Sequence, residues 1–248
     1  MSSPETKESN SKKWLFSIAC ILLAAIVTGG LYFMRTDDLE DICAAADSVL
    51  YLEAYGTLGG DELIGTASGF LLDAKGERLL ITNYHVIQDA RKIVAKTADG
   101  EYSTDIYLVL DYDEVADLAV LRAGKNFEGI PLTLADSDSV KKGDAVYAVG
   151  YPLGLANTLS DGIVSSRYVD VNNCDVIQVT AAVSGGNSGG PLLNEDGQVI
   201  GIICGGYVAG QNLNIAISAN TLNDMLDAWT AVRSTENLAY WRDRPENK

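Results

Sequence analysis

From residue 48 onward the chain is a succession of short apolar runs about ten residues apart, most bounded by Gly, Asn or Asp. They are SVLYLEAY (48–55), LIGTASGFLLD (63–73), RLLITN (78–83), KIVAKTA (92–98), IYLVLDY (106–112) and DLAVLRA (117–123), then GDAVYAVGYP (143–152), TLSDGIVSSRYV (158–169), DVIQVTAAV (175–183), QVIGIICGG (198–206) and LNIAISAN (213–220). Runs this short, rich in β-branched and aromatic residues and punctuated by turn formers, predict antiparallel strands rather than βαβ units. The expected class is therefore all-β. The break at EGIPLTLADSDSV (128–140) divides the runs into sets of six and five, which predicts two antiparallel barrels of about six strands each, about 45–128 and 129–220. Leu222, Met225, Leu226 and Trp229 recur at helical spacing, so a C-terminal helix is expected over 221–232, followed by a polar tail over 233–248.

One segment breaks the pattern. Trp14 to Met34 is 21 residues without a charge. At about 1.5 Å per residue such a helix spans roughly 30 Å, the thickness of a bilayer's hydrocarbon core. Lys12 and Lys13 precede it, and Asp37, Asp38, Glu40 and Asp41 follow Arg35. That asymmetry predicts a single-pass anchor with residues 1–13 in the cytoplasm, a connector over 35–44, and a soluble part outside. A cleaved signal peptide fits less well, because its apolar region is normally shorter and no clean A-x-A site ends this one.

Composition excludes some functions. The net charge is −16, and from residue 36 onward 32 acidic side chains face 14 basic ones, or 14 − 32 = −18. A nucleic-acid partner needs a basic face that this chain lacks. Of four cysteines, Cys20 lies in the apolar segment. Cys43, Cys174 and Cys204 leave two alternatives open, one disulfide with a spare thiol or three thiols. Their spacing matches no zinc site, and with one histidine in the chain a metal centre lacks ligands.

That histidine is the first chemical landmark. His85 follows the apolar run LLIT, at the end of a strand, where residues that perform chemistry are often mounted. Asp117 opens the apolar run Leu118–Leu121, and an Asp at the mouth of a buried strand needs a partner, which an imidazole N–H supplies. Asp111 and Asp113, just upstream, fit turn positions. Ser188 stands in VSGGNSGGPL (183–192). Gly186, Ser188 and Gly190 satisfy G-x-S-x-G, the nucleophile elbow of α/β-hydrolases, but that fold needs a histidine after the serine and none follows. The order His85, Asp117, Ser188 instead suits acyl transfer on an all-β frame.

TNYHVI, ADLAVL and GNSGGPL together resemble the trypsin-like serine proteases of the HtrA type. SGFLLDAKGERLLITNYHVI, VGYPLGL, TLSDGIVSS and IQVTAAVSGGNSGGPLLNEDGQVIGI extend the resemblance over about residues 45–230. It implies a chymotrypsin-like serine endopeptidase acting on polypeptides without a cofactor, in extracytoplasmic quality control or stress signalling. His85 would be general base, Asp117 its orienting partner, Ser188 the nucleophile, and the amides of Gly186 and Ser188 the oxyanion hole. The same resemblance places Ala182, Val183, Cys204, Gly205, Gly206, Ile215 and Ala216 around the S1 pocket, uncharged and suited to aliphatic side chains. HtrA relatives are commonly trimers and usually carry PDZ domains after the protease. With the chain stopping at Lys248, PDZ control in cis is not expected. Ser184, Gly185 and Gly186 depart from the family pattern and predict a loose loop, with the oxyanion hole only partly formed at rest. That departure sustains an alternative, a substrate-gated or catalytically silent binding protein. A serine esterase on the same frame is a third reading.

Overall fold

The computed structural model describes residues 40–56, 62–100, 102–124, 127–170, 173–206, 213–229 and 236–238. The apolar segment 14–34 lies outside the described residues, and among the described ones no helix is long and apolar enough to cross a membrane. The described residues from Ile42 onward belong to one compact unit.

The first half is a sheet in which every pairing is antiparallel. β1 (Val49–Tyr55) lies between β2 (Leu63–Ala74) and β4 (Lys92–Lys96). β2 continues through Lys75 and Gly76, both at positive φ as a two-residue hairpin requires, into β3 (Glu77–Thr82). Beyond β3 lie β7 (Leu118–Arg122) and β6 (Leu108–Asp113), while β5 (Ser103–Ile106) pairs with β4. The expected closed six-stranded barrel is not what forms. The hydrogen-bonded sheet has eight strands and is open, with β5 at one end. The single run expected at 106–112 is broken at Tyr107, so Ile106 ends β5 against β4 while the rest forms β6 against β7, and the chain itself joins the sheet's two sides.

The eighth strand is a second departure. β14 (Glu236–Asn237) adds to β6, with Glu236 opposite Val109, and Leu238 N–H donates to the Tyr107 carbonyl at 2.7 Å. Leu238 is fully buried in the first sheet's core, so part of the expected polar tail is structural.

The second half closes as expected. β8 (Ala145–Gly150), β9 (Thr158–Val169), β10 (Asp175–Val179), β11 (Pro191–Leu193), β12 (Val199–Gly206) and β13 (Asn214–Ser218) form a barrel in the order β10-β13-β12-β11-β8-β9. The C-terminal helix, α2 (Ala219–Ala228), starts earlier than its apolar spacing suggested, because Ser218 caps it by accepting from Asn220 N–H.

Two apolar clusters fill the halves separately, one around Leu52, Leu80 and Leu121 and one around Val146, Ile177 and Ile203. A third bridges them, setting Val49, Phe70 and Ile81 of the first sheet against Val149, Leu193 and Ile202 of the barrel. Burying each such side chain contributes about 1.5–3 kcal/mol, so the junction between the halves is a core in its own right. Tyr151 lies in it, its hydroxyl donating across to the Val49 carbonyl at 3.2 Å, and burial pushes that phenol up to about 12.

Docking of the tail is testable. Leu238→Ala removes a fully buried side chain and should cost about 2–4 kcal/mol in urea unfolding. An unchanged midpoint would mean that the tail does not pack there.

Candidate active site

β3 ends at Thr82, and the chain turns through buried Asn83 into a short helix, α1 (Tyr84–Ile87), which carries His85. On the neighbouring strand, the turn before β7 carries Asp117. Its geometry follows from the sequence. Asp113 accepts from the amides of Val115 and Ala116, at 2.8 and 2.9 Å, as expected of a turn aspartate, whereas Asp111, also expected at a turn, lies inside β6 and accepts from Tyr112 N–H. The turn ends with Asp117 in the left-handed region at φ 54°, which Asp tolerates better than most residues.

Three hydrogen-bonding contacts join Asp117 to the His85 segment. Asp117 Oδ1 accepts from His85 N–H and Oδ2 lies against His85 Nδ1, both at 2.8 Å. Asn83 Nδ2 donates to the Asp117 carbonyl at 2.8 Å. Tyr84 donates to Glu114 at 2.9 Å and stacks on Tyr112, and burial with that hydrogen bond pushes its hydroxyl up to about 12. Asp117 thus grips both the backbone and the ring of His85, with Nδ1 occupied and Nε2 as the ring's other nitrogen.

Ser188 arrives from the second half, in the loop before β11. His85, Gly185, Gly186 and Ser188 line one cleft of about 570 Å³, whose other wall is Ala54, Ile64–Ala67 and Val86. The loop's peptides are fixed one by one. Gly185 O accepts from Leu153 N–H at 2.7 Å, Gly186 O from Ser68 Oγ at 2.8 Å, Asn187 O from Gly190 N–H at 2.9 Å, and Ser188 O from Ser68 N–H at 2.9 Å. Of the amides from Gly186 to Gly190, those of Asn187, Gly189 and Gly190 donate to Ser184, Ile203 and Asn187. The Gly186 and Ser188 N–H groups donate to no described residue. The loose loop expected from Ser184-Gly185-Gly186 is therefore a held one. The extra freedom of glycine is needed at Gly186, where φ is 100° and a Cβ would collide with the Tyr151 carbonyl, and at Gly189, where it would collide with Thr82 and Ser68. Gly185 has open space and an ordinary φ.

The residues expected around S1 are placed less uniformly. Val183, Cys204, Gly205 and Ile215 are half-buried and Ala182 is exposed. Gly206 pairs with Asn214 across β12 and β13. Ala216 is fully buried inside the barrel among residues such as Ala148 and Ile177, because alternation along β13 turns it away from Ile215, so it presents no surface to a ligand. None of the seven lines the cleft that holds His85 and Ser188. Cys43, Cys174 and Cys204 are free thiols, Cys43 exposed. Burial, reinforced by the Asp117 charge, pushes the Cys204 thiol up to about 12, so it stays protonated and unreactive at neutral pH.

Asn83 and Ser68 did not stand out in the sequence. Their signal is weak, a polar residue inside or directly after an apolar strand, yet both are fully buried and both hold site residues.

The trypsin-like peptidase domain model matches residues 67–202, more than half of the chain. The chain belongs to the trypsin-like peptidase family. Its relatives include bovine mitochondrial serine protease HTRA2, 38% identical over 192 residues that make up 73% of this chain and 40% of the relative. The putative serine protease HhoA of Synechocystis is 39% identical over 148 residues, 56% of this chain and 36% of the relative. The chain thus spans less than half the length of these curated relatives. Among solved structures, the HtrA-type protease AlgW with a tripeptide superposes with a TM-score of 0.67 at 30% identity, over 77% of this chain and 62% of that one. The serine endoprotease of Yersinia pestis gives 0.65 at 26%, over 77% and 65%.

The two neighbouring glycines separate sharply in prediction. Gly185→Ala should leave thermal stability within about 0.5 kcal/mol, as for a surface change. Gly186→Ala should cost more than about 1 kcal/mol, being strained at positive φ as well as crowded. Equal effects in a melting experiment would contradict the loop described here.

Proposed function

We propose that this chain is a serine endopeptidase. The observation that carries the proposal is the meeting of three features in one cleft: the His85–Asp117 pair, Ser188, and the unengaged amides of Gly186 and Ser188. Family membership and HtrA-type relatives supply independent support.

The chemistry follows from the groups. Ser188 Oγ attacks the scissile carbonyl carbon while His85 Nε2 takes its proton. The carbonyl oxygen becomes an oxyanion that accepts from Gly186 and Ser188 N–H. The C–N bond then breaks, the amine leaves with the proton returned by His85, and an acyl-enzyme remains. Water, deprotonated by the same imidazole, hydrolyses it and restores Ser188. Asp117 keeps the proton on Nδ1 and stabilises the imidazolium.

The held loop supports this reading over a gated or silent binding protein, since nothing further must be ordered to free the two donors. By resemblance to HtrA-type proteases, Val183, Cys204 and Ile215, which lie outside the His85–Ser188 cleft, form an uncharged S1 wall that suits an aliphatic P1 residue. Residues 14–34 serve as a membrane anchor with the peptidase domain outside the cytoplasm, where polypeptides in quality control or stress signalling are its substrates. A homotrimer rests on the resemblance to HtrA-type proteases.

A fluorophosphonate probe should label the intact chain in detergent at one site and fail on Ser188→Ala. Asp117→Asn should lower the cleavage rate about 10⁴-fold, because it strands the imidazole in the wrong tautomer. Labelling that persists in Ser188→Ala, or none in the parent, would defeat the proposal.

A further inference from the structure

We infer that Ser68 is a positioning residue for this reaction, holding the nucleophile loop in the one arrangement that leaves the Gly186 and Ser188 amides free. The inference rests on the peptidase reading. Ser68 belongs to β2 of the first sheet, yet it makes two hydrogen bonds to the loop of the second half. Its N–H donates to the Ser188 carbonyl at 2.9 Å and its hydroxyl to the Gly186 carbonyl at 2.8 Å. Both residues of the proposed oxyanion hole are thus held by one side chain and its own backbone.

The direction of these bonds is unambiguous. Tyr151 N–H also points at Ser68 Oγ, at 3.0 Å, and an amide can only donate. A hydroxyl has one proton, so with its lone pair engaged by Tyr151 the proton goes to Gly186 O. The Ser68 carbonyl is taken by Thr82 Oγ1 at 2.9 Å. Every polar atom of Ser68 is therefore engaged, and the residue is fully buried.

Topology explains why this position is available. β2 pairs with β3 only as far as Phe70 opposite Ile81, because β3 ends at Thr82 and the chain turns away to present His85. That departure leaves the Ser68 N–H without a strand partner on that side, and Ser188 O takes the vacant place. Ser68 does not line the cleft, so its effect passes through Gly186 and Ser188. Without the hydroxyl, the Gly186 carbonyl loses its donor and the Tyr151 amide is left buried and unpaired. The Gly186–Asn187 peptide then keeps one tie, Asn187 N–H to the Ser184 carbonyl at 3.1 Å, and a shift of Gly186 carries into the adjoining Gly185–Gly186 peptide that bears the Gly186 N–H.

Ser68→Ala in the full chain tests the assignment. The probes are a fluorophosphonate, a fluorogenic peptide with valine on the acyl side of the scissile bond, and the boronic acid analogue of that peptide. Displacing a catalytic donor by about 1 Å costs on the order of 10²-fold, so the fluorophosphonate labelling rate and kcat should each fall by about that factor. KM should stay within about twofold, and boronate affinity should fall in step with kcat. Ser137→Ala removes another fully buried hydroxyl, bonded to Ser218 at 2.6 Å away from the cleft, and serves as the structural control with kcat preserved. Should Ser68→Ala not fold, Ser68→Cys, which keeps a weaker donor in the same place, is measured by the same criteria. A kcat within threefold of the parent overturns the inference, as does a loss that appears only in KM or that spares boronate affinity. If the parent cleaves and Ser68→Ala matches it, only the role of Ser68 falls, whereas a parent inert to all three probes overturns the peptidase reading as well.

Discussion

A trans peptide cannot aim its carbonyl and its N–H at the same side, and the candidate site depends on this constraint. No described peptide bond is cis. Holding the Gly185 carbonyl with Leu153 N–H sends Gly186 N–H the opposite way, and holding the Asn187 carbonyl with Gly190 N–H does the same for Ser188 N–H. The loop needs none of its own side chains to create two converging donors. It needs each carbonyl to be tied elsewhere, and residues that tolerate the resulting φ at Gly186 and Gly189. Each tie contributes only about 1 kcal/mol, but together they select one backbone arrangement among several of similar energy.

Those ties come from both halves of the molecule. Ser68 reaches from the first sheet, while Leu153 and Ile203 belong to the second half. His85 and Asp117 are mounted wholly on the first sheet and Ser188 wholly on the second. The geometry between them is therefore only as rigid as the junction. The bridging apolar cluster and the Tyr151–Val49 hydrogen bond across it are what make the junction stiff. An exposed site with little burial of its own thus draws its precision from a core it does not touch.

Much of this was legible in the sequence, for identifiable reasons. β9 over Thr158–Val169 coincides with its apolar run, and the His85–Asp117 meeting follows from an Asp at the mouth of a strand that pairs beside the one ending before His85. What escaped was set by contacts distant in sequence. Tyr107 divides one apolar run between two neighbours, and nothing local announces it. Leu238 appears as a stray apolar residue in a polar tail until its burial beside β6 is seen. Ala216 passes for a pocket residue until the barrel's pleat turns it inward. The run Ser184-Gly185-Gly186 suggested looseness because composition reports what a backbone is free to do, whereas Leu153 and Ser68 decide what it does.

The central claim is that the resting loop already presents the two amides. A crystal structure of the compact unit that begins at Ile42, with a peptide boronic acid on Ser188 and compared with the unliganded protein, is the decisive measurement. One boronate oxygen should lie within about 3 Å of both Gly186 N and Ser188 N, with the Gly185 and Gly186 carbonyls unmoved from Leu153 and Ser68 on binding. A Gly185–Gly186 peptide that turns over between the free and bound structures, or an oxygen held by other groups, would contradict it.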